Sequence, residues 1–120
     1  MNVAAKRVLI VDDNVMASEL LAEFLELCGF AARIAHTGAD AMALADEFSP
    51  EIVIVDIVLP DTDGYALAGR MRDRTAQAPM IVALSGLPKT MRNGGDHTLF
   101  DAWLEKPADL DALEALLAKG

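Results

Sequence analysis

Five polar side chains in this sequence stand at or just beyond the ends of apolar runs. Asp12 and Asp13 follow RVLIV, Asp56 follows EIVIV, Ser85 follows MIVAL, and Lys106 comes just after a weaker run at Ala102 to Leu104. If those runs are neighbouring strands, three carboxylates, one hydroxyl and one ammonium meet at a single edge. Three carboxylates within about 5 Å repel by roughly 3 kcal/mol per pair at an effective dielectric near 20. Such a cluster calls for a divalent cation. All-oxygen ligands with neither histidine nor thiolate suit Mg²⁺ or Mn²⁺ over Zn²⁺. Mg²⁺ typically takes only one or two carboxylates and leaves places for phosphate oxygens. A lysine and a hydroxyl beside it are the expected partners of a phosphoryl group in transfer. A carboxylate in that setting can itself be the nucleophile and form an acyl phosphate.

The elements that must position these groups alternate along the chain, with no repeat and no low-complexity segment. Arg7 to Val11, Glu51 to Val55 and Met80 to Leu84 are unbroken β-branched and aliphatic runs. Runs that do not alternate belong to strands covered on both faces, as in a parallel sheet between helices. Ala31 to Ala35 and Ala102 to Leu104 are two weaker strands. Asn14 or Asp13 caps a first helix with Ala17, Leu20, Leu21, Phe24 and Cys28 inward, and Gly29 stops it. Thr37 caps a second, with Ala41, Leu44, Ala45 and Phe48 inward and Pro50 beyond its end. Asp63 caps a third that buries Leu67 and Met71, and a last helix from about Asp109 carries Leu110, Leu113, Leu116 and Leu117. The order predicts an open α/β fold around a five-stranded sheet. Pro88 to Thr98 breaks the pattern, because Met91 is its only large apolar residue. Gly94 and Gly95 would cost a helix interior roughly 2 kcal/mol. A fourth helix there is expected to be short or irregular. In open parallel sheets, functional groups collect at the carboxyl ends of strands, near the point where strand order reverses. The five polar residues fall there.

Length and charge narrow the classes. The 120 residues are a single domain, 1–120, of ordinary globular composition. Ten basic against nineteen acidic side chains leave a net charge of −9 at pH 7. That balance disfavours nucleic acid and anionic membranes as partners and favours cations and basic protein surfaces. The single cysteine, Cys28, excludes an internal disulfide and a multi-cysteine metal site and suits a reducing, cytoplasmic setting. No apolar run is long enough to span a membrane. The opening MNVAAKRVLIVDDN turns acidic after one short apolar run, unlike a secretory signal.

Four segments, LIVDDN (9–14), VDIVLPDTDG (55–64), ALSG (83–86) and LEKP (104–107), stand in order and each at its own strand end. Together they resemble the receiver domain of two-component response regulators, the CheY-like superfamily, over about residues 6–118. The resemblance implies a flavodoxin-like, doubly wound parallel sheet of order 2-1-3-4-5 with helices on both faces. It implies Mg²⁺ (or Mn²⁺) as cofactor and a histidine kinase or histidine phosphotransfer protein as phosphoryl donor. Asp56 matches the phosphoacceptor, and Asp13 the acid that ligates the metal directly, with Asp12 alongside. The backbone carbonyl of Val58 completes the implied protein ligands. Lys106 matches the lysine that pairs with a phosphoryl oxygen, and Ser85 the hydroxyl that moves toward the new phosphate. Trp103 falls where the family carries a rotating switch aromatic.

Some features depart from the family pattern. The interval from Ser85 to Lys106 is one residue short, and the shortage falls in the glycine-rich segment, which weakens the case for output through a fourth-helix surface. Trp103 is bulkier than the tyrosine, histidine or phenylalanine usual at its position, which restricts inward rotation. Val58 and Leu87 flank the site without an amide or acid to orient an attacking water, so slow autodephosphorylation is expected.

Plainer roles suit several other residues. Asp61 and Asp63 lie in DTDG and are expected in loop and helix-cap roles. A calcium loop would need acids where Leu59 and Arg70 stand. His36 and His97 are expected at the surface, and Cys28 in the core. Met16, Ala17, Leu20 and Leu21, with Pro107 nearby, form a candidate apolar docking patch for a kinase helix pair, part of which must be core. The expected function is a phosphorylation-dependent switch that alters partner binding and catalyses only its own phosphorylation and dephosphorylation. Its downstream partner is not readable from the sequence. The alternatives are a phosphate sink or relay intermediate without its own output, and an aspartyl-nucleophile phosphohydrolase. Against the hydrolase stand the missing cap domain and Val58 where a second acid would sit. The chain has no room for a DNA-binding or catalytic output domain. Its starting methionine favours a natural N-terminus, and the end at AKG leaves open a receiver segment cut from a longer chain.

Overall fold

A computed structural model describes residues 6–74, 79–86, 100–106 and 109–119. The expectations for Pro88 to Thr98, Leu87, His97 and Pro107 lie outside them. The described elements run β1 (Arg7–Val11), α1 (Val15–Leu27), β2 (Ala31–Ala35), α2 (Gly38–Phe48), β3 (Ile52–Asp56), α3 (Gly64–Arg74), β4 (Met80–Ser85), β5 (Ala102–Glu105) and α4 (Leu110–Lys119). The strands form one all-parallel sheet in the order β2-β1-β3-β4-β5.

Successive strand residues point to opposite faces, so an unbroken apolar run feeds two cores. Leu9, Val11, Val53, Val55 and Ile81 pack with Ala41 and Met42 of α2 and with Leu67 and Met71 of α3. Val8, Ile10, Ile52, Ile54, Val82 and Leu84 pack on the other face with Leu21 and Leu25 of α1 and with Leu113 and Leu117 of α4. Each fully buried side chain of this size stabilises the fold by roughly 1.5–3 kcal/mol relative to exposure.

Three strands run further than their apolar stretches. β3 extends through Asp56, whose backbone pairs with Leu84, while Ser85 and Glu105 close the β4–β5 ladder. Polar side chains at these positions do not end the ladder, because pairing is a backbone property. β3 also begins at Ile52 rather than Glu51.

α1 is phased one residue away from expectation. Its buried residues are Ser18, Leu21, Ala22 and Leu25, while Ala17 and Leu20 face outward and Phe24 and Cys28 are half-buried. The buried serine needs no outside partner, because its Oγ donates to the carbonyls of Asn14 and Val15 at 2.9 and 3.0 Å. The helix ends as expected: Gly29, at φ 97°, donates to Glu26 O, and Phe30 donates to Leu25 O, both at 3.0 Å. Thr37 caps α2 through Asp40 N–H, and Asp63 caps α3 through Ala66 N–H. Met42 joins the buried face of α2, while Leu44, Ala45 and Phe48 are only half-buried.

Candidate functional site

The carboxyl ends of β1, β3, β4 and β5 supply the site. Strand order reverses between β1 and β3, since β1 has β2 on one side and β3 on the other. Asp12, just past β1, is held on several sides. Its N–H donates to Ala35 O at 3.0 Å, its Oδ1 accepts from Asn14 N–H at 2.9 Å, and its carbonyl accepts from His36 Nδ1 at 2.9 Å. His36 is therefore a half-buried partner of Asp12, not the free surface residue expected. Asn14 also caps α1 through Ala17 N–H at 3.0 Å.

Asp56 ends β3 with only 6% of its surface exposed. Its Oδ1 accepts from Val58 N–H at 3.1 Å and its Oδ2 from Lys106 Nζ at 2.8 Å. Lys106 Nζ reaches Asp12 Oδ2 as well, at 3.3 Å. The lysine backbone is fixed too, its N–H donating to Ser85 O at 2.7 Å. That bond sets Ser85, itself buried, beside the same edge.

The structure brings Asp12, Asp13 and Asp56 together, with one oxygen from each within 4.8 Å of the others. Asp13 is the exposed member. Burial, foremost, pushes the Asp56 carboxyl above its ordinary range. The Asp12 charge adds to this, against the Lys106 and Val58 hydrogen bonds that pull the other way. Burial acts to lower Lys106, and the hydrogen bond and charge of Asp56, with Asp12, overcome it and raise the ammonium. Both groups thus hold their protons more tightly than usual, as expected where negative charge is in excess. Such a site attracts cations, and oxygen donors of this kind fit Mg²⁺.

The remaining expected residues sit close by or apart. Val58 places its N–H on Asp56 while the residue is 72% exposed. Trp103 pairs with Ala83 in the sheet. Its ring lies in an aromatic group with Phe100, 5.8 Å between centroids, and Tyr65 of α3, 6.3 Å. Tyr65 and Phe100 stack edge-on at 5.3 Å. Neither ring was singled out from sequence, and no local pattern joins them. Cys28 is half-buried, and its thiol is raised by burial and by the nearby Glu114 carboxylate, which suits packing over reactivity.

Beside the acids opens a groove of about 530 Å³, with Asp12 and Lys106 at its polar end and Ala17, Leu20 and Leu110 along its apolar side. Met16 and Leu20 on α1 are 73% and 62% exposed, while Leu21 belongs to the core. No helix among the described residues is long and apolar enough to cross a membrane.

Residues 8–118 match the family model of the response regulator receiver domain. The chain is 34% identical over 115 residues to the sensor histidine kinase AtsR of Burkholderia thailandensis, covering 92% of this chain and 19% of that one. It is 31% identical over 118 residues to the chemotaxis protein CheY of Halobacterium salinarum, covering 94% and 98%. Among solved structures, a CheY-like receiver domain from Methylobacillus flagellatus superposes with a TM-score of 0.87 at 35% identity, covering 96% and 98% of the two chains. Several relatives are much longer; this chain spans 46% of the transcriptional regulator RpaA of Synechocystis and 12% of the sensor kinase RcsC of Salmonella typhi.

Proposed function

The chain belongs to the response regulator receiver domain family of two-component systems, and from that premise we propose that Asp56 is its phosphoacceptor. The observation that carries the proposal is the contact set of one carboxylate. Asp56 lies against Lys106 at 2.8 Å and within 4.8 Å of two further acids at a strand-order reversal.

In the proposed reaction an Asp56 oxygen attacks the phosphorus of a phosphohistidine. An O–P bond forms, the N–P bond breaks, and the imidazole leaves with a proton. Lys106 binds a phosphoryl oxygen, exchanging its contact with the carboxylate for one with the product. Ser85, held at the same edge, supplies its hydroxyl to another oxygen. Asp12, Asp13, Asp56 and the Val58 carbonyl would hold Mg²⁺, which supplies charge neutralisation for the phosphoryl oxygens. Trp103, in its aromatic group, is the element through which a shift of Ser85 would reach β5 and α3.

The donor is a histidine kinase or phosphotransfer protein. Its docking surface is the exposed apolar start of α1, Met16 and Leu20, with the groove toward Leu110. A role as relay intermediate inside a larger kinase is the second reading, favoured by matches that span small parts of the sensor histidine kinases AtsR and RcsC.

Intact mass after incubation with a small-molecule phosphodonor and Mg²⁺ tests the assignment. One added phosphoryl group is expected in the parent and none in Asp56→Ala. Equal addition to both proteins, or none to either under conditions where another receiver reacts, would overturn it.

A further inference from the structure

The tip of the β3–α3 loop is fastened to the start of a different helix. Asp61 Oδ1 accepts from Gly38 N–H at 2.8 Å and its Oδ2 from Ala39 N–H at 3.1 Å. These are the first two amides of α2, among the donors a helix leaves without an intrahelical partner. Thr37 takes only the third, that of Asp40. The neighbouring Thr62 lies so close over Gly38 that a Cβ there would collide with its methyl group. A side chain at 38 would thus force Thr62 to shift off the helix end.

The loop base is closed separately. Gly64 N–H donates to Ile57 O at 2.8 Å, and a Cβ on Gly64 would lie 2.9 Å from the Asp56 carbonyl oxygen. Between base and tip, Leu59 N–H donates to Thr62 O at 3.2 Å and the Leu59 side chain enters the core. Val58, largely exposed, sits between these anchors, which pair its backbone with Asp63 as an isolated antiparallel bridge. Its place comes from its N–H on Asp56 and from the anchors on either side.

We propose that Asp61 is a positioning residue for the metal site: by clamping the loop tip to α2 it holds Val58 where its carbonyl completes the ligand set. The inference rests on the ligand set proposed above and adds a residue outside it. The helix terminus favours the negative charge of Asp61. In keeping with this, the Gly38 and Ala39 amides hold its carboxyl below the ordinary range.

Calorimetric titration of the whole chain with Mg²⁺, without phosphodonor, tests the clamp, with urea unfolding alongside. The proteins are the parent, Asp61→Ala, Asp61→Asn and Thr37→Ala. Thr37→Ala removes a cap from the same helix without touching the loop. Asp61→Ala is expected to weaken Mg²⁺ binding by roughly tenfold, the scale of losing an outer partner of a metal ligand. Asp61→Asn, which keeps one good acceptor, should fall between. Thr37→Ala should bind as the parent does while losing comparable stability in urea. Mg²⁺ affinity in Asp61→Ala within about twofold of the parent, or an equal loss in Thr37→Ala, would overturn the clamp. A parent chain that binds no Mg²⁺ would overturn the ligand set itself.

Discussion

Lys106 is the one ammonium among the described residues that faces Asp12 and Asp56 directly, with Asp13 beside them. One positive charge against three negative ones leaves this edge with an excess of negative charge. The raised Asp56 carboxyl means that its ionised form costs the folded state free energy. The folded protein then binds more protons than the unfolded one, and stability falls as pH rises from the unfolded value, near 3.9, through the folded one. Asp56→Asn removes that slope. In chelator it should gain on the order of 1 kcal/mol at pH 7, first by relieving the burial of a charged carboxylate and then its repulsion by Asp12, with the Lys106 and Val58 hydrogen bonds offsetting the rest. The gain should vanish near pH 3, where the parent carboxyl is protonated. Urea midpoints at the two pH values check it, and a loss at pH 7 would show that the Lys106 bond outweighs burial and repulsion together. A second prediction concerns Val58, whose exposed isopropyl cannot orient water beside the acceptor. Val58→Asn should shorten the phosphoryl lifetime by about tenfold through positioning of the attacking water, read from the decay of the phosphorylated mass.

α1 shows how two faces of one element divide the work. Leu25 is fully buried, whereas Leu20, on the outer face, lines the groove. Leu25→Ala should cost about 2–5 kcal/mol, measured by urea unfolding. Leu20→Ala should stay within about 0.5 kcal/mol of the parent. If the outer face docks the histidine donor, Leu20→Ala slows transfer from that donor and leaves labelling by a small phosphodonor unchanged. Equal slowing of both would place Leu20 in the site's own chemistry. The phase of α1 was misread from sequence for a physical reason. Apolar residues lie on both faces, and the buried stripe contains a serine that satisfies its hydroxyl within its own helix turn. The strands were legible because two-sided burial writes itself as unbroken aliphatic runs, and the acids were legible because they terminate those runs. Asp61 was legible as a loop residue, but its hold on α2 was not, since its partners Gly38 and Ala39 lie on another element and no spacing rule links them. His36 was missed likewise, its partner being a backbone carbonyl that leaves no mark in the sequence.

At the scale of the whole molecule, the acids that would share one cation come from β1 and β3, neighbours in the sheet but far apart in the chain. An unfolded chain has no such site, so a bound cation stabilises only the folded state. With Mg²⁺ at 100 times its dissociation constant the gain is about 2.7 kcal/mol. For a domain of this length that corresponds to a melting shift of about 10 °C. The net charge of −9 supplies a competing cause, because any cation relieves general self-repulsion. The two separate in Asp13→Ala. Asp13 is exposed, so its loss leaves the cores intact and keeps the screening effect nearly whole, yet takes one ligand from the site. Scanning calorimetry at constant ionic strength should show the parent rising with Mg²⁺ and Asp13→Ala rising much less. NaCl at matched ionic strength should move both equally. A shift that is the same in both proteins would mean that the cation acts on the overall charge. The acidic edge would then be bound too weakly in this chain to organise a phosphoryl group.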